Sequence, residues 1–259
     1  MDPPVAVPPR ATSKTRFYPE SRFGGFTDSD AHILFFARVH SLITPESVVL
    51  DIGCGRGRSA EDEVPIRRRL RILKGTCRQV IGIDVDPAAA ANPCLDEFRQ
   101  IVPGSRWPVD EGSIDLGLSV SVLEHVKDPD HFFAECRRVI KPGGYLCLRT
   151  TNVLSYAGVA ARLIPFRYHA AVIRHVNEHP RREEDVFPTL YRCNTVFKLR
   201  HTLQRFGFDH CVYGYQSQPS SLAFSRPLYF LGTLHQRFAP KFLKPTIFAF
   251  AQRLPDYRP

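Results

Sequence analysis

What this 259-residue chain lacks narrows it first. Its seven cysteines, at positions 54, 77, 94, 136, 147, 193 and 211, are odd in number and never form a Cys-x-x-Cys pair. That spacing argues against a disulfide framework and against a zinc site, and points to a reducing cytoplasm. No apolar run of signal-peptide length opens the chain, and the apolar clusters near 158–164, 227–234 and 246–251 are too short to span a bilayer. No internal repeat is present. Acidic residues are scarce in one part only: residues 1–150 hold 20 Lys and Arg against 20 Asp and Glu, whereas residues 151–259 hold 15 against 6. The whole of the +9 net charge therefore sits in the C-terminal part. With 43% hydrophobic and 24% charged residues the composition is that of a globular protein, neither disordered nor collagenous. Folding at this length removes roughly 70–75% of the unfolded surface from water, enough for one core without metal or disulfide staples.

Residues 1–16 are polar, with four prolines in the first nine positions, and read as a flexible leader. The next stretch, RFYPESRFGGF over 16–26, carries three Phe and a Tyr that would be costly to leave in water, so it is expected to fold over something as a lid. Thr27 with Asp30 resembles a capping box ahead of a helix carrying Ile33, Phe36, Ala37, His40 and Ile43. Four short apolar runs then follow: 48–53, 79–84, 113–119 and 144–150. Their lack of clean alternation is how strands buried on both faces of a parallel sheet read. Helical spacing appears between them at 64–74 and 129–140, the latter closed by Lys-Pro-Gly-Gly. Strand alternating with helix predicts an α/β fold with a doubly wound, mostly parallel sheet. Residues 152–193 hold one amphipathic stretch, Val153 to Ile164, and then lose any clear period, which marks a functional or disordered insertion. A helix from an Asn194 cap to Phe206, a strand at FDHCVYG, a helix over 226–237 and a last strand over 245–253 complete the chain. The expected organisation is a leader (1–16) and one domain (17–259), with a core at 27–151, an insertion at 152–193 and completing elements at 194–259.

The motif richest in chemistry is VLDIGCGRG at 49–57. An apolar strand ends in Asp51 and runs into Gly53, Gly55 and Gly57, residues that allow positive φ and close approach of a ligand to the backbone. A dinucleotide fold would present Gly-x-Gly-x-x-Gly for pyrophosphate; an acid before alternate glycines instead suits an ammonium-bearing ligand. A tight strand-to-helix turn is the competing interpretation. A second strand ends in Asp84, placed to accept hydrogen bonds from ribose hydroxyls, while Asp86 before Pro87 fits a helix cap.

With the block WPVDEGSIDLGLSVSVLEHVKDPDHFFAECRRVIKPGGYLCLRTTN at 107–152, these motifs resemble the class I S-adenosylmethionine-dependent methyltransferases. The resemblance covers about 49–152 and lies closest to the small-molecule branch of ubiquinone and menaquinone methyltransferases. It implies a Rossmann-like fold with an N-terminal lid and an insertion after the fifth strand, and S-adenosylmethionine as cofactor. It further implies that Asp51, Gly53 and Gly55 hold the methionine part, Asp84 the ribose, and Leu118 and Ser119 the cofactor and transfer site. Two departures stand out. Pro65 interrupts the helix that usually follows the Gly-rich loop, so a displaced helix is expected to begin there, with Glu61, Asp62 and Glu63 at its positive end and Arg71 and Lys74 at its negative end. An acidic residue near the adenine is also missing, which leaves backbone near Ser105 and the face of Trp107 as candidates.

An oxygen acceptor would benefit from a general base. His125, beside the polar Glu124 in LEHV, is the catalytic candidate, against a structural role in the short segment after the strand. His169, His175 and His179 are too irregular for a metal site, and none is expected. The run Arg181, Arg182, Glu183, Glu184, Asp185 reads as a solvated charge cluster. Arg162, Arg167, Arg174 and Arg192, with Tyr168 and Tyr191, are candidates to grip an anionic acceptor, surface charge being the alternative. No nucleic-acid motif accompanies the basic surplus, and nucleic acid is not the expected partner. The expected function is methyl transfer to a small-molecule hydroxyl of a sugar, glycolipid or secondary metabolite in the cytoplasm. The alternatives are carbon methylation of a quinone-like lipid with peripheral membrane contact, and a non-catalytic cofactor-binding module.

Overall fold

A computed structural model describes residues 12–156, 158–159 and 188–255. The expected grip by Arg162, Arg167, Tyr168 and Arg174, the three histidines between 169 and 179, and the charge run at 181–185 lie outside the described residues, as do residues 1–11. Strands β1 (Val48–Ile52), β2 (Gln79–Asp84), β3 (Glu97–Gln100), β4 (Ile114–Val120), β5 (Ile140–Thr151), β6 (Phe208–Tyr215) and β7 (Thr246–Arg253) form one sheet. Their order is β3-β2-β1-β4-β5-β7-β6. The first five are parallel, and β7 is inserted antiparallel between β5 and β6. Chain order reverses between β1 and β4, which opens a crevice outside their carboxyl ends, where ligands of such sheets bind.

The expected fold is therefore the observed one, and period-2 alternation explains its two cores. Leu50, Ile52, Ile81, Ile83, Leu146 and Leu148 face one side, against Phe132, Phe133 and Cys136 of helix α4 (Pro129–Val139). Val49, Val80, Leu116, Leu118 and Cys147 face the other, against Phe35, Phe36 and Val39 of helix α2 (Ala31–His40). Phe35 sits 5.3 Å from Phe248 and 5.4 Å from Phe250, centroid to centroid, which ties α2 to β7.

Several boundaries differ from the sequence expectation for local reasons. The cap of α2 is Asp30 alone, which accepts from the His32 and Ile33 amides at 2.9 and 3.1 Å. Thr27 instead donates to Gln218 at 2.9 Å. Helix α3 (Pro65–Arg71) starts at the proline, as its fixed φ favours. β3, absent from the sequence reading, has only four partly exposed residues at the sheet edge and is specified by pairing with β2. Helix α5 (Val196–Arg205) is capped by Thr195, not Asn194. Helix α1 (Ser13–Phe17) lies mostly before residue 17, inside the stretch expected to be a leader. The N-terminal aromatic segment packs on helix α6 (Arg226–Phe238), with Phe17 5.4 Å from Tyr229 and the Tyr18 hydroxyl donating to Gln236.

Candidate functional site

The Gly-rich loop leaves β1 through Gly53 (φ +71°), whose amide donates to the Ile83 carbonyl at 2.7 Å. A Cβ at Gly53 would come within 2.4 Å of Val122 Cγ2, so both conformation and packing demand glycine. Gly55 (φ +56°) is the opposite case: a Cβ there would meet nothing within 4 Å, so this side of the loop is open to a ligand. The loop's shape is set by side chains following β2. Asp84 accepts the Gly55 amide at 2.9 Å on one carboxylate oxygen and the Asp86 amide at 2.9 Å on the other. Asn92, which sequence reasoning missed, donates to the carbonyls of Cys54 and Gly55 at 3.0 Å each. A carboxylate keeps further acceptor sites after two such bonds, so Asp84 can both brace the loop and receive hydroxyls. Asp86 takes the capping role, accepting from Ala88, and pairs with Arg56 at 2.9 Å.

Asp51 lies in register between Gly82 and Leu118 and lines a small cavity with Cys54, Arg71, Asn92 and Leu118. Burial first, and then the charge of Asp84, raise its pKa to about 7, with Arg71 pulling the other way. Burial likewise pushes the Cys54 thiol up, so it stays protonated and is no nucleophile. At the end of β4 the buried Ser119 Oγ bonds to no described residue. An enclosed carboxylate short of compensating charge and an orphaned hydroxyl are both costly in an empty site. An ammonium-bearing ligand with hydrogen-bonding groups answers both, and the residues present therefore fit S-adenosylmethionine.

The remaining expected site residues go elsewhere. Trp107 is 5% exposed in the core, edge-on to Phe132 at 5.7 Å, with its backbone held by Glu135 and Arg138. An indole used this way offers no face for an adenine to stack on. Glu124 is buried and accepts from the hydroxyls of Thr150 (2.6 Å) and Thr151 (3.4 Å), while its carbonyl accepts the Leu190 and Tyr191 amides. Its carboxylate ties the segment after β4 to β5, and its carbonyl holds the end of the insertion. His125 Nδ1 bonds to the Pro188 carbonyl at 2.9 Å, so the ring holds the same segment. Arg192, of the expected acceptor grip, is exposed.

A second cavity of about 280 Å³ opens at the carboxyl edge of β5 and β6, lined by Asp30, His32, Arg67, Arg149, Tyr156 and Ser217 among others. Burial first, then the charges of Arg149, Arg71 and Arg67, hold His32 well below its ordinary value of 6.5, so it is neutral. This cleft adjoins the Asp51 cavity through Asp62, a buried carboxylate that grips Arg67 of the cleft at 2.7 Å and Arg71 of the cavity at 2.8 Å. Sequence reasoning singled out neither His32 nor Arg149. The usable signal was positional: His32 follows a cap at the start of a helix, and Arg149 closes a central strand.

Residues 50–148 match the family model described as a methyltransferase domain. The probable S-adenosylmethionine-dependent methyltransferase of Mycolicibacterium smegmatis is 32% identical over 124 residues, 46% of this chain and 44% of that protein. The ubiquinone biosynthesis O-methyltransferase of Maricaulis maris is 33% identical over 110 residues, 42% of each. The chain thus spans under half the length of these curated relatives. Among solved structures, a chain from the complex of the Haloferax volcanii Trm112 methyltransferase activator and a putative methyltransferase aligns at TM-score 0.53 and 17% identity. That alignment covers 96% of this chain and 100% of the other, a likeness of fold. Residues 50–148 thus match a methyltransferase domain, and the loop geometry and strand order above agree with that match.

Proposed function

We propose that this chain transfers a methyl group to an oxygen of a small acceptor held in the cleft of His32 and Arg149. The observation that carries this reading is the adjacency of that cleft to the Asp51 cavity, with Asp62 gripping an arginine of each. Asp51, Gly55 and Asp84 would hold S-adenosylmethionine, which supplies an electrophilic methyl on its sulfonium. The protein's work is then to align the acceptor and exclude water. His32 is the side chain placed to accept the hydroxyl proton on an imidazole nitrogen, in preference to His125. Its neighbours Arg67 and Arg149 disfavour the imidazolium. An acceptor bearing a phosphate, carboxylate or nucleotide-linked sugar would offset those charges and raise the basicity of His32 when it binds.

All seven cysteines are free thiols, and no described helix is long and apolar enough to cross a membrane; a cytoplasmic enzyme is the setting we favour. Calorimetry with S-adenosylhomocysteine tests the cofactor half: the intact protein should bind and Asp84→Ala should lose at least tenfold in affinity, whereas no binding by the intact protein overturns the reading. Methyl-label transfer into lysate fractions tests the acceptor half. There His32→Ala should lower turnover ~100-fold with cofactor affinity unchanged, in the range general bases contribute, and an unaltered rate removes His32 from the mechanism.

A further inference from the structure

Helix α6 is apolar on the wrong side as well as the right one. Its inner face carries Tyr229, 1% exposed, and Gly232, where a Cβ would come within 2.6 Å of Pro219. On the outer face stand Phe230 (48% exposed), Leu231 (57%), Leu234 (38%) and Phe238 (72%). At helical spacing these four make one stripe about 100° wide, the width that normally faces a core. Phe224 and Phe242, which precede and follow the helix in the chain, are exposed as well, and Phe242 lies 5.7 Å from the exposed Phe197. Soluble monomers rarely expose contiguous apolar surface of this kind without an interaction to use it.

Charge selects the partner. Residues 210–255 contain no Asp or Glu. Arg226, Arg237 and Lys241 are exposed around the stripe, and none forms an ion pair with a described residue. Arg226 and Arg237 fall on the same flank of the helix, beside Phe230, where long basic side chains can reach polar headgroups while their stems cover apolar surface. Phenylalanine and leucine in a stripe with a basic, acid-free margin is the composition of a helix that lies in a membrane interface.

We infer that the outer face of α6 docks this protein on an anionic lipid bilayer, with Phe230, Leu231, Leu234 and Phe238 entering the interface and Arg226, Arg237 and Lys241 meeting the headgroups. The orientation has a consequence for the cleft. His235, on the same helix, lies edge-on to the cleft residue Tyr156 at 5.1 Å and bonds to the cleft residue Gln216 at 2.6 Å, so α6 packs behind two residues of the cavity wall. Docking by its outer face sets the cleft beside the lipid surface, within reach of an acceptor carried on a lipid. The docking itself does not rest on the methyl-transfer reading, because it is measured without cofactor.

Co-sedimentation of the full chain with phosphatidylcholine vesicles, with and without phosphatidylglycerol, tests this. Binding should require the anionic lipid and weaken with salt. The double variant Leu231→Glu, Phe238→Glu should lose at least tenfold in vesicle affinity while keeping the wild-type melting temperature and S-adenosylhomocysteine affinity. The triple variant Arg226→Ala, Arg237→Ala, Lys241→Ala should bind more weakly and with a flatter salt dependence. Three results overturn the inference: no binding of the wild type to anionic vesicles; a double variant that melts earlier, meaning the stripe is covered within the fold; or a wild-type dimer that the double variant dissociates, with vesicles ignored throughout.

Discussion

In the half of the sheet built by β1 to β5, acidic side chains close on basic ones: Asp86 on Arg56 at 2.9 Å, Glu135 on Arg138 at 2.6 Å, Asp115 on Lys141 at 2.6 Å, and Asp62 on Arg67 and Arg71. In the C-terminal half, Arg205 reaches across to Asp130, but other basic groups turn to backbone carbonyls, Arg200 to Val212 and Lys244 to Gln236, or stand exposed. The difference separates two jobs. Pairing fixes the loops that shape a cofactor cavity, and within that paired half Asp51 is the one acid whose pKa burial drives to about 7, at the position where a cationic ligand would restore its charge. Around α6, Arg226, Arg237 and Lys241 form no ion pair with a described residue, and it is their charge that the proposed docking uses.

The largest effect that would sharpen this comparison is at Asp62. Burial opposes its charge, but hydrogen bonds from Arg67 and Arg71 outweigh that and hold the carboxyl below its ordinary value of 3.8. Asp62→Ala takes the carboxylate from Arg71 and leaves Arg67 with Asp30 alone, and should destabilise the protein by about 3–5 kcal/mol in chemical denaturation. Because the folded value is depressed, the contribution is present at neutral pH and is lost as pH falls below about 4. Arg226→Ala, in the other half, should change stability by less than about 0.5 kcal/mol, as for an ordinary surface position. Comparable losses at the two sites would erase the distinction.

Asp51 gives the next effect, with the opposite sign. Its folded value is raised, so stability is full near pH 4 and falls as pH climbs through about 7 in the empty protein. Asp51→Asn should flatten that fall. Binding of S-adenosylhomocysteine should expel the Asp51 proton below pH 7, so affinity should rise by up to about tenfold per pH unit toward neutrality. A wild-type affinity independent of pH between 5 and 7 would remove Asp51 from the ammonium site.

How far these features could be read in advance depended on whether a residue's role is local. β1, β2 and β4 announced themselves because burial on both faces leaves continuous apolar runs, and Pro65 marked the start of α3 because a fixed φ acts on its own turn. β3 was invisible because its four residues owe their conformation to a neighbour strand. Trp107 was misjudged for a related reason: a loop tryptophan looks available until Phe132, 25 positions on, packs against it. The cleft was the least legible part, since Asp30, Arg67, Arg149 and Ser217 meet there from four separate stretches of chain. His32 drew no notice because no local pattern distinguishes a neutral histidine among arginines from one on a helix surface.

A smaller effect on turnover is expected at the residue that the sequence favoured most. His125 sits next to Glu124 and after Ser121, whose φ of +59° is unusual for a non-glycine residue, and such strained turns gather at functional sites. Yet its ring holds the Pro188 carbonyl, and Glu124 is committed to Thr150, which in turn accepts from Asn194 at 2.7 Å. Both side chains anchor the returning end of the insertion to the sheet. His125→Ala should therefore lower stability by about 1 kcal/mol, the usual net value of one hydrogen bond, and reduce turnover no more than about threefold, far short of what loss of a general base produces. If His125→Ala instead slows methyl transfer a hundredfold at unchanged stability while His32→Ala does not, the proton acceptor lies after β4, and the cleft lined by His32 serves binding alone.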